Sequence, residues 1–392
     1  MKNDIIIIGA GLSGMTMACS LAQNDFHVTV IEHDTIKRLR AEESDGRTCA
    51  ISYGSTQIFS NLKIWKKLQK HSGPILDIRV TDNNCPLFVH YNHKMIGDDP
   101  MGYIIENYHL REALFEQASQ YKNLKIIDNI QYDSITYEDE VIVKLKNNTS
   151  ITGSLLIAAD GRNSYIRESL GIKSTKWSYK QSAIVFTVQH EIPHNGVAIE
   201  KFLPSGPFAI LPMHNYNHSS IVWTESTDVA KIYLHMDESE FVEHLTEKFA
   251  GYLGKLNLVG KRFSYPLNLN LARRYTAKRM ALIGDAAHGI HPIAGQGFNL
   301  GIRDVPALTN AIIKARDHGE DIGSDIVLNE YNKLRKLDNV SLLIVTDFLN
   351  RLFSNDIFVI KQLRRIGMGT VNKIPTLKRF LSKHAMGIAF ND

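Results

Sequence analysis

A glycine-rich turn near the N-terminus constrains the fold of this chain more than any other feature. The β-branched run at 5–8 predicts a short parallel strand buried on both faces, and the Gly-Ala-Gly-Leu-Ser-Gly sequence that follows at 9–14 has the spacing of a dinucleotide-binding turn. We expect a helix over 13–24 whose N-terminal amides point at a pyrophosphate. A second strand at 28–31 ends in Glu32, a carboxylate placed to accept the hydroxyls of an adenosine ribose. The pattern predicts a Rossmann-like βαβ unit but does not separate NAD from FAD.

Length and composition favour an ordinary globular protein. With 392 residues, 44% of them apolar and 22% charged, the chain is long enough for one large or two interlocked domains. Its three cysteines, Cys19, Cys49 and Cys85, show no CxxC spacing, so neither a disulfide framework nor a zinc site is expected. The apolar start is too short for a signal peptide, and no run approaches the ~20 apolar residues of a membrane span. We therefore expect a cytoplasmic location.

Two further strand ends carry an acid and a glycine. The run at 155–159 leads into an Asp-Gly pair at 160–161, and the run at 279–283 leads into a Gly-Asp pair at 284–285. An acid at the carboxyl end of a parallel strand lies at the sheet edge where open α/β sheets bind ligands, although the first of these acids could equally cap a helix. Two such acids, together with a second amide-rich helix start in the segment that follows, are more than an NAD site needs.

The segment after the second pair indicates contact with a flat ring. Residues 291–301 read His-Pro-Ile-Ala-Gly-Gln-Gly-Phe-Asn-Leu-Gly, a proline-held loop with two glycines that leads into a helix. Main-chain amides of such a loop can touch an electron-accepting ring, and the helix N-terminus would stabilise negative charge on it. His288 and His291 invite a metal interpretation, but no third ligand is near them in the sequence. We therefore expect packing or hydrogen-bonding roles for both histidines and no metal.

Two arginines are ambiguous from their spacing. Arg47 follows Asp45 and Gly46, where its guanidinium could reach a bound phosphate, and Arg111 lies near the start of a helix predicted over 109–121. Each could instead be an ordinary surface arginine. The spacing by itself favours that second interpretation.

The middle of the chain is rich in predicted strands. Strands are predicted at 124–127, 130–137, 141–145 and 151–158. The alternation in the first two hairpin strands suggests a small antiparallel sheet inserted into the nucleotide domain. From 180 to 275 strands dominate, with one helix starting at Asp237, and no phosphate or metal motif occurs there. We expect this second, sheet-rich domain to form a roof over the substrate. An earlier helix is predicted from the helical spacing of four apolar residues, Ile58, Leu62, Trp65 and Leu68.

Basic residues are concentrated at the C-terminus. The net charge is +4, and from Lys361 onward there are seven Lys or Arg and a single acid. Apolar residues alternate with them between 356 and 387, so the segment could bind an anionic membrane surface at ~1 kcal/mol per basic residue. It could equally form a helical pair packed on the nucleotide domain or on a partner subunit. Upstream, an apolar stripe favours core or oligomer contact; it consists of Leu337, Val340, Ile344, Phe348 and Leu352.

Taken in order, four stretches resemble those of the class A flavoprotein monooxygenases, the FAD-dependent aromatic hydroxylases. They are the glycine turn with Glu32, the Asp-Gly-Arg stretch at 45–47 with Ala50 and Ser52, the Ala-Asp-Gly stretch at 159–161 with Ser164 and Arg167, and the segment from Gly284 to Asp304. The run at 291–304 is the most specific, and it is similar to the ubiquinone-biosynthesis hydroxylases of the UbiH, UbiF and COQ6 type. The resemblance covers nearly the whole chain.

The resemblance implies an α/β fold. A discontinuous Rossmann-like FAD-binding domain of the GR2/PHBH type would comprise residues 1–175 and 276–355. An inserted, sheet-rich substrate domain would occupy 176–275, and basic amphipathic helices would form the C-terminal segment 356–392. In this arrangement the flavin ring would face a cavity beneath the second sheet.

The resemblance also implies how FAD is held. Glu32 would hold the adenosine ribose with Ile130 near the adenine, Asp285 would bind the ribitol, and Asp160 would serve FAD and the nicotinamide donor together. Arg47 and Arg111 would approach the cofactor. The full set of expected cofactor-binding residues is Gly9, Gly11, Leu12, Ser13, Gly14, Glu32, Arg47, Arg111, Ile130, Asp160, Gly284, Asp285, Gly295, Gln296, Gly297 and Asn299.

The ring end of the cofactor is expected at the proline-held loop. Residues 292–297 would line the isoalloxazine, so Pro292 and Gly295 are the residues expected nearest to the chemistry. Reduced flavin would react with O₂ to give a C4a-hydroperoxide, and its distal oxygen would pass to an electron-rich phenol. No acid or base for that step can be named from the sequence.

The implied activity is that of a FAD-dependent monooxygenase that hydroxylates the aromatic ring of a polyprenyl phenol in ubiquinone biosynthesis. Electrons would come from NAD(P)H or from a reductase or ferredoxin. A lipophilic substrate implies peripheral contact with the inner face of the membrane through the basic tail; a homo-oligomer or a biosynthetic complex remains open, and no nucleic-acid partner is expected. The alternatives are a non-catalytic flavin-binding scaffold, an aromatic hydroxylase with a soluble substrate, and an NAD dehydrogenase.

Overall fold

The computed structural model describes residues 3–41, 46–82, 88–289 and 296–353, and several positions between 374 and 388. The strands are β1 (Asn3–Ile8), β2 (Val28–Ile31), β3 (Thr48–Ser52), β4 (Gly73–Ile75), β5 (Asp77–Asp82), β6 (Phe88–Asn92), β7 (Gly102–Glu106), β8 (Leu124–Ile127), β9 (Tyr132–Tyr137), β10 (Val141–Leu145), β11 (Ser150–Ala158), β12 (Ser174–His190), β13 (Val197–Leu203), β14 (Gly206–Pro212), β15 (His218–Ser226), β16 (Leu256–Ala272), β17 (Thr276–Ala277), β18 (Met280–Leu282) and β19 (His288–Gly289). The helices are α1 (Leu12–Gln23), α2 (Ile36–Leu39), α3 (Tyr53–Asn61), α4 (Trp65–Gln69), α5 (Asn107–Ala118), α6 (Tyr165–Ser169), α7 (Thr227–His235), α8 (Glu238–Phe249), α9 (Gln296–Asp317) and α10 (Asp325–Phe353).

The first sheet carries the nucleotide-type topology. Its strand order is β17-β18-β11-β1-β2-β8, and the five strands from β18 to β8 run parallel. The four isoleucines of β1 are at most 5% exposed and pack in the main core with residues of α1, α5 and α9. A strand covered by helices on both faces must be apolar on both, which explains the unbroken isoleucine run. The predicted α/β class is confirmed.

The hairpin expected to form a small inserted antiparallel sheet extends this first sheet. β8 pairs in parallel with β2, and the β9–β10 hairpin continues from β11 through an antiparallel pairing. Alternation of apolar and polar residues indicates that one face of a strand is buried, but it does not predict which sheet the strand joins. The predicted antiparallel pairing is therefore confirmed, as a continuation of the first sheet.

The second sheet has the order β19-β16-β12-β15-β14-β13-β5-β6. Its outer face packs under α7 and α8 around the buried Trp223, Phe241 and Phe208. Its inner face packs against a third sheet, β3-β7-β4, through Ala198 and Ile104. Since β5 and β6 precede residue 176, the second sheet draws strands from both sides of that position. The division of the chain into domains at 176 and 275 stays a prediction.

Two helical regions differ from expectation. The single helix expected through Ile58 and Leu68 is two helices, α3 and α4, because Lys63 between them has a left-handed backbone with φ of 60°. Helix α7 was not predicted, although the side chain of Ser226 accepts a hydrogen bond from the amide of Val229 and caps it.

The C-terminal region is described only in part. Most of the predicted basic amphipathic segment at 356–392 lies outside the described residues. Where the chain is described again, Met386 is 2% exposed and packs with Ile75, Met101 and Ile104, and its carbonyl accepts a hydrogen bond from the amide of Gly54. The end of the chain therefore packs on the protein body. Within the described residues, no helix has the length and apolar character to cross a membrane.

Candidate functional site

Three acids lie at neighbouring strand ends. Glu32 follows β2, Asp160 lies just after β11, and Asp285 follows β18. These strands are parallel, and only β1 separates β2 from β11, so all three acids lie at one edge of the sheet. From β2 to β18 there are three strand spacings, roughly 14 Å at about 4.8 Å each. That edge suits an elongated ligand that contacts several strand ends.

The three glycines of the first turn have different structural roles. A Cβ on Gly9 would come within 2.4 Å of the Ala159 carbonyl oxygen, and one on Gly14 would come within 2.0 Å of the Gly9 carbonyl oxygen. Both glycines are therefore required for packing of the turn against β11 and α1. No atom lies within 4 Å of the corresponding position on Gly11. The backbone at Gly11 is bare towards open space, which fits close approach by a ligand phosphate.

Glu32 is tied to this turn. It is 5% exposed, and its carboxylate accepts hydrogen bonds from the amides of Ala10 (2.6 Å) and Asp34 (2.9 Å). It lines a cleft of about 410 Å³ together with Gly11, Ile130 and Asp160. The structure thus brings the residues expected around the adenosine part of FAD into a single cleft.

Only one of the two carboxylate oxygens of Asp160 has a hydrogen-bond partner within the described residues. Its Oδ2 accepts a hydrogen bond from the amide of Ile166 at 3.2 Å, whereas its buried Oδ1 has no hydrogen-bond partner within the described residues. Burial raises the pKa of Asp160, although hydrogen bonds from Ser164 and Ile166 and the charge of Arg167 oppose that shift. A buried carboxylate oxygen without a partner fits a ligand hydroxyl or amide, and the residues present therefore fit a bound dinucleotide.

The loop after β18 lies against the glycine turn. A Cβ on Gly284, whose φ is 58°, would come within 2.6 Å of the Ser13 hydroxyl oxygen, so this glycine allows α1 and the loop to meet. The Asp285 carboxylate is half exposed, and its Oδ2 lies 3.5 Å from Nη2 of Arg162. The start of α1, with Leu12 and Ser13, is thus joined to the third acidic strand end.

A buried ionic network supports that loop. Asp304 on α9 is fully buried and accepts hydrogen bonds from the amide of Gly284 (2.8 Å), from His288 Nε2 (2.8 Å) and from Arg335 Nε (2.7 Å). Burial raises the pKa of Asp304, but the charges of His288 and Arg335 outweigh it and hold that pKa below its ordinary value. His288 therefore has a hydrogen-bonding role, one of the two roles expected for it. In the sequence Asp304 stands out only as the end of a motif, and this role was not predicted.

The remaining expected contacts surround β3. The Arg47 guanidinium lies 5.0 Å from the ring centroid of Tyr265 on the second sheet, and the Arg47 carbonyl accepts a hydrogen bond from Asn107 at the start of α5, the helix that carries the buried Arg111. The side-chain amide of Asn299 on α9 bonds to the backbone of Ala50 and Ser52, and to the Ser55 hydroxyl. The start of α9 is thereby fixed to β3.

Part of the expected ring-binding loop cannot be placed. Pro292 and Gly295 lie outside the described residues, and α9 begins at Gln296, directly before Gly297. Among the described residues, one group of side chains has ligand atoms close enough for a metal, Glu32, His33 and Asp34. The Glu32 oxygens in that group already accept two backbone amides.

A second cavity, of about 470 Å³, lies between Gly46 and the second sheet. The imidazoles of His71 and His109 stack in its wall with ring centroids 3.7 Å apart and 10° between the planes. Burial lowers the pKa of His71, and the nearby charges of His109, Lys70 and His214 lower it further. These histidines are far apart in the sequence, so their stacking could not be predicted from their spacing.

Comparison with known proteins assigns the family. Residues 2–337 match the family described as FAD binding domain. The chain is 43% identical over 385 residues to the ubiquinone hydroxylase UbiL of Rhodospirillum rubrum, covering 98% of this chain and 89% of that protein. It is 32% identical to the 3-demethoxyubiquinol 3-hydroxylase of Escherichia coli, covering 98% of both.

The fold is shared with a solved monooxygenase structure. The crystal structure of p-nitrophenol 4-monooxygenase PnpA from Pseudomonas putida superposes with a TM-score of 0.82 at 18% identity, over 99% of this chain and 98% of that one. At that identity the likeness shows the fold alone, and it confirms the fold class implied by the four stretches. The chain belongs to the FAD binding domain family and, through its full-length relatives, to the FAD-dependent ubiquinone-biosynthesis hydroxylases.

Proposed function

We propose that this chain is a FAD-dependent monooxygenase that hydroxylates the aromatic ring of a polyprenyl-phenol precursor of ubiquinone. The observation that carries the proposal is the single sheet edge at which Glu32, Asp160 and Asp285 lie, beside the bare backbone of Gly11. The names of the full-length relatives, a ubiquinone hydroxylase and a demethoxyubiquinol hydroxylase, support the substrate class.

The chain's own residues have separate tasks in this reaction. Glu32 takes the ribose hydroxyls, the amides around Gly11 take the pyrophosphate, and Asp285 takes the ribitol. Bound FAD supplies the redox chemistry, since it accepts electrons from a donor such as NAD(P)H or a reduced ferredoxin and passes them to O₂. The buried Asp304 network holds Gly284 in place, and the second sheet orients the phenol ring and excludes water.

The cavity beside Gly46 supports a lipophilic substrate. Apolar side chains form much of its wall, namely Ile104, Phe186, Met213, Val259 and Phe263. Polar side chains, among them four histidines, line the rest of the cavity, and apolar surface combined with polar groups is typical of sites that bind and orient small molecules.

The proposal is tested by the quinone intermediates of a deletion strain. We expect a polyprenyl phenol that lacks one hydroxyl to accumulate, and wild-type protein, but not a variant that fails to bind FAD, to restore ubiquinone. Restoration by a variant without FAD would indicate a non-catalytic scaffold. Unchanged quinones would indicate a soluble substrate, and a purified protein that is colourless after incubation with FAD would indicate a dehydrogenase.

We also propose that the basic tail contacts an anionic membrane surface from the cytoplasmic side, alone or within an oligomer or biosynthetic complex. Arg379 is exposed and Lys383 is partly exposed, whereas Ser382 and Met386 are buried, so two basic side chains stay accessible beside the packed positions of this segment. Sedimentation with vesicles containing anionic lipid tests this. Replacement of Arg379 and Lys383 by Glu should reduce binding, and equal binding to neutral vesicles would contradict the proposal.

A further inference from the structure

The second sheet carries one carboxyl group whose position is unusual. Glu200 lies in the middle of β13, where the neighbouring residues face outwards: Lys201 Nζ donates to the carbonyl of Lys248 on α8, and Ile199 packs in the cluster beneath α7 and α8. Successive side chains of a strand point to opposite faces. Glu200 therefore faces inwards, as does Ala198, which packs with Ile104 of the third sheet.

The strand register places Glu200 within an apolar row. On the inner face it lies between Val80 of β5 and Ala209 of β14, and the row continues through Val222 of β15 to Val185 of β12. Paired residues in adjacent strands share a face, so these five side chains lie side by side. Glu200 is the single ionisable member of this row, which we call the Glu200 row.

The Glu200 row lies next to a contact between the second sheet and β3. Ser220, two residues before Val222, has its hydroxyl 2.8 Å from that of Thr48 on β3. The same β3 is bonded to Asn299 near the start of α9. The row therefore lies on the face of the second sheet that is turned towards β3, and Ile104, which packs with Ala198 on this face, lines the cavity beside Gly46.

Glu200 has no compensating partner. It is partly buried, and it makes neither a hydrogen bond nor an ion pair with any residue in the parts of the chain that the structure describes. Burial raises the pKa of Glu200 to about 7. Other ionisable or charged groups on this face, or on the elements packed against it, include Asp82, Tyr91, Tyr179, Tyr265, Tyr53, Tyr103, Glu106, Lys378 and Arg47. A carboxyl left unpaired beside valines is costly, and such groups are often functional.

We propose that Glu200 is the general base that accepts the phenol proton of the substrate, an inference that rests on the proposed hydroxylase function. The O–H bond of the phenol breaks, a new O–H bond forms on the Glu200 carboxylate, and the electron pair stays on the phenol oxygen. That electron pair increases the electron density of the ring and favours its attack on the electrophilic oxygen. A base that titrates near the working pH is best suited to such a transfer.

The test compares Glu200→Gln and Glu200→Asp with wild-type holoenzyme on a short-chain prenyl phenol between pH 5.5 and 9. For wild type, kcat/KM should rise with pH through about 7, because Glu200 must be ionised to accept the proton. Glu200→Gln should lose about 100-fold or more in kcat/KM and lose this rise, whereas Glu200→Asp should retain part of both. Donor oxidation should continue in Glu200→Gln, with hydrogen peroxide released instead of product.

A matched control uses the opposite face of the same sheet. Glu225 accepts a hydrogen bond from Trp223 Nε1 on the outer side, so Glu225→Gln should keep the wild-type pH profile. A readout independent of turnover is infrared titration of the protonated carboxyl band, which should lose one group near pH 7 in Glu200→Gln. If Glu200→Gln keeps the wild-type profile, or wild type shows no rise between pH 6 and 8, the inference is overturned. If wild type hydroxylates no phenol, the proposed function itself fails.

Discussion

Replacement of Gly11 by Ala separates ligand binding from folding. The backbone at Gly11 has φ −67° and ψ 179°, which alanine adopts without strain, and no atom lies within 4 Å of the added Cβ. We expect the free energy of unfolding of the apoprotein to change by less than about 1 kcal/mol, because a small loss in helix capping is offset by a less flexible unfolded chain. FAD binding should suffer, since the methyl group occupies the space left for the phosphates.

The size of that effect follows from hydrogen bonding. Two amide-to-phosphate bonds of about 1.5–3 kcal/mol each would be lost, which corresponds to roughly a 10²- to 10⁴-fold weaker Kd. Quenching of flavin fluorescence on titration with apoprotein measures the Kd, and urea denaturation measures stability. In the matched variant Gly14→Ala, the Cβ would lie 2.0 Å from the Gly9 carbonyl oxygen, so stability itself should fall. A folded Gly11→Ala protein with wild-type FAD affinity would refute the placement of the phosphates.

Three further predictions concern stability and cofactor binding. Asp304→Asn should cost about 3–5 kcal/mol in urea denaturation, because Arg335 and His288 lose a buried counter-charge. The lowered pKa of Asp304 stabilises the fold above the unfolded value of about 3.9, and this contribution is lost as the pH falls through the folded pKa, so wild type should lose more stability in acid than the variant. Glu32→Gln places an amide N–H against backbone N–H groups and should weaken FAD binding about 10- to 100-fold in the fluorescence titration. Met386→Ala should lower the free energy of unfolding by about 2–3 kcal/mol if the chain end packs as described; no change would contradict that packing.

The strand ends of the first sheet were predictable because each carries a local signal. A short run of apolar residues that ends in an acid or a glycine marks a buried parallel strand, and parallel strands bring their carboxyl ends to one edge. Glu32, Asp160 and Asp285 could therefore be grouped before any coordinates were known.

The features that were missed depend on contacts between distant parts of the chain. From the sequence Asp304 resembles any acidic residue on a helix. Its role depends on Gly284, His288 and Arg335, which no local sequence pattern links to it. The break between α3 and α4 depends on a left-handed conformation at Lys63, a residue type that gives no warning of it.

The orientation of Glu200 could not be predicted from the sequence, because it depends on how β13 pairs with its neighbouring strands. In the sequence it stands beside Lys201 in a strand-like segment and resembles a solvated surface pair. Only the pairing of β13 with β5 and β14 shows that the two side chains face opposite sides and that Glu200 lies among valines and alanines.

The central claim, that this chain transfers an oxygen atom from O₂ to a phenol ring, is tested most directly with isotopically heavy oxygen. Purified protein loaded with FAD is supplied with an electron donor and a prenyl phenol under ¹⁸O₂, and the product is analysed by mass spectrometry. We predict a hydroxylated product that carries one ¹⁸O atom at the ring. Oxidation of the donor without labelled product, or a hydroxyl that derives from water, would contradict the account.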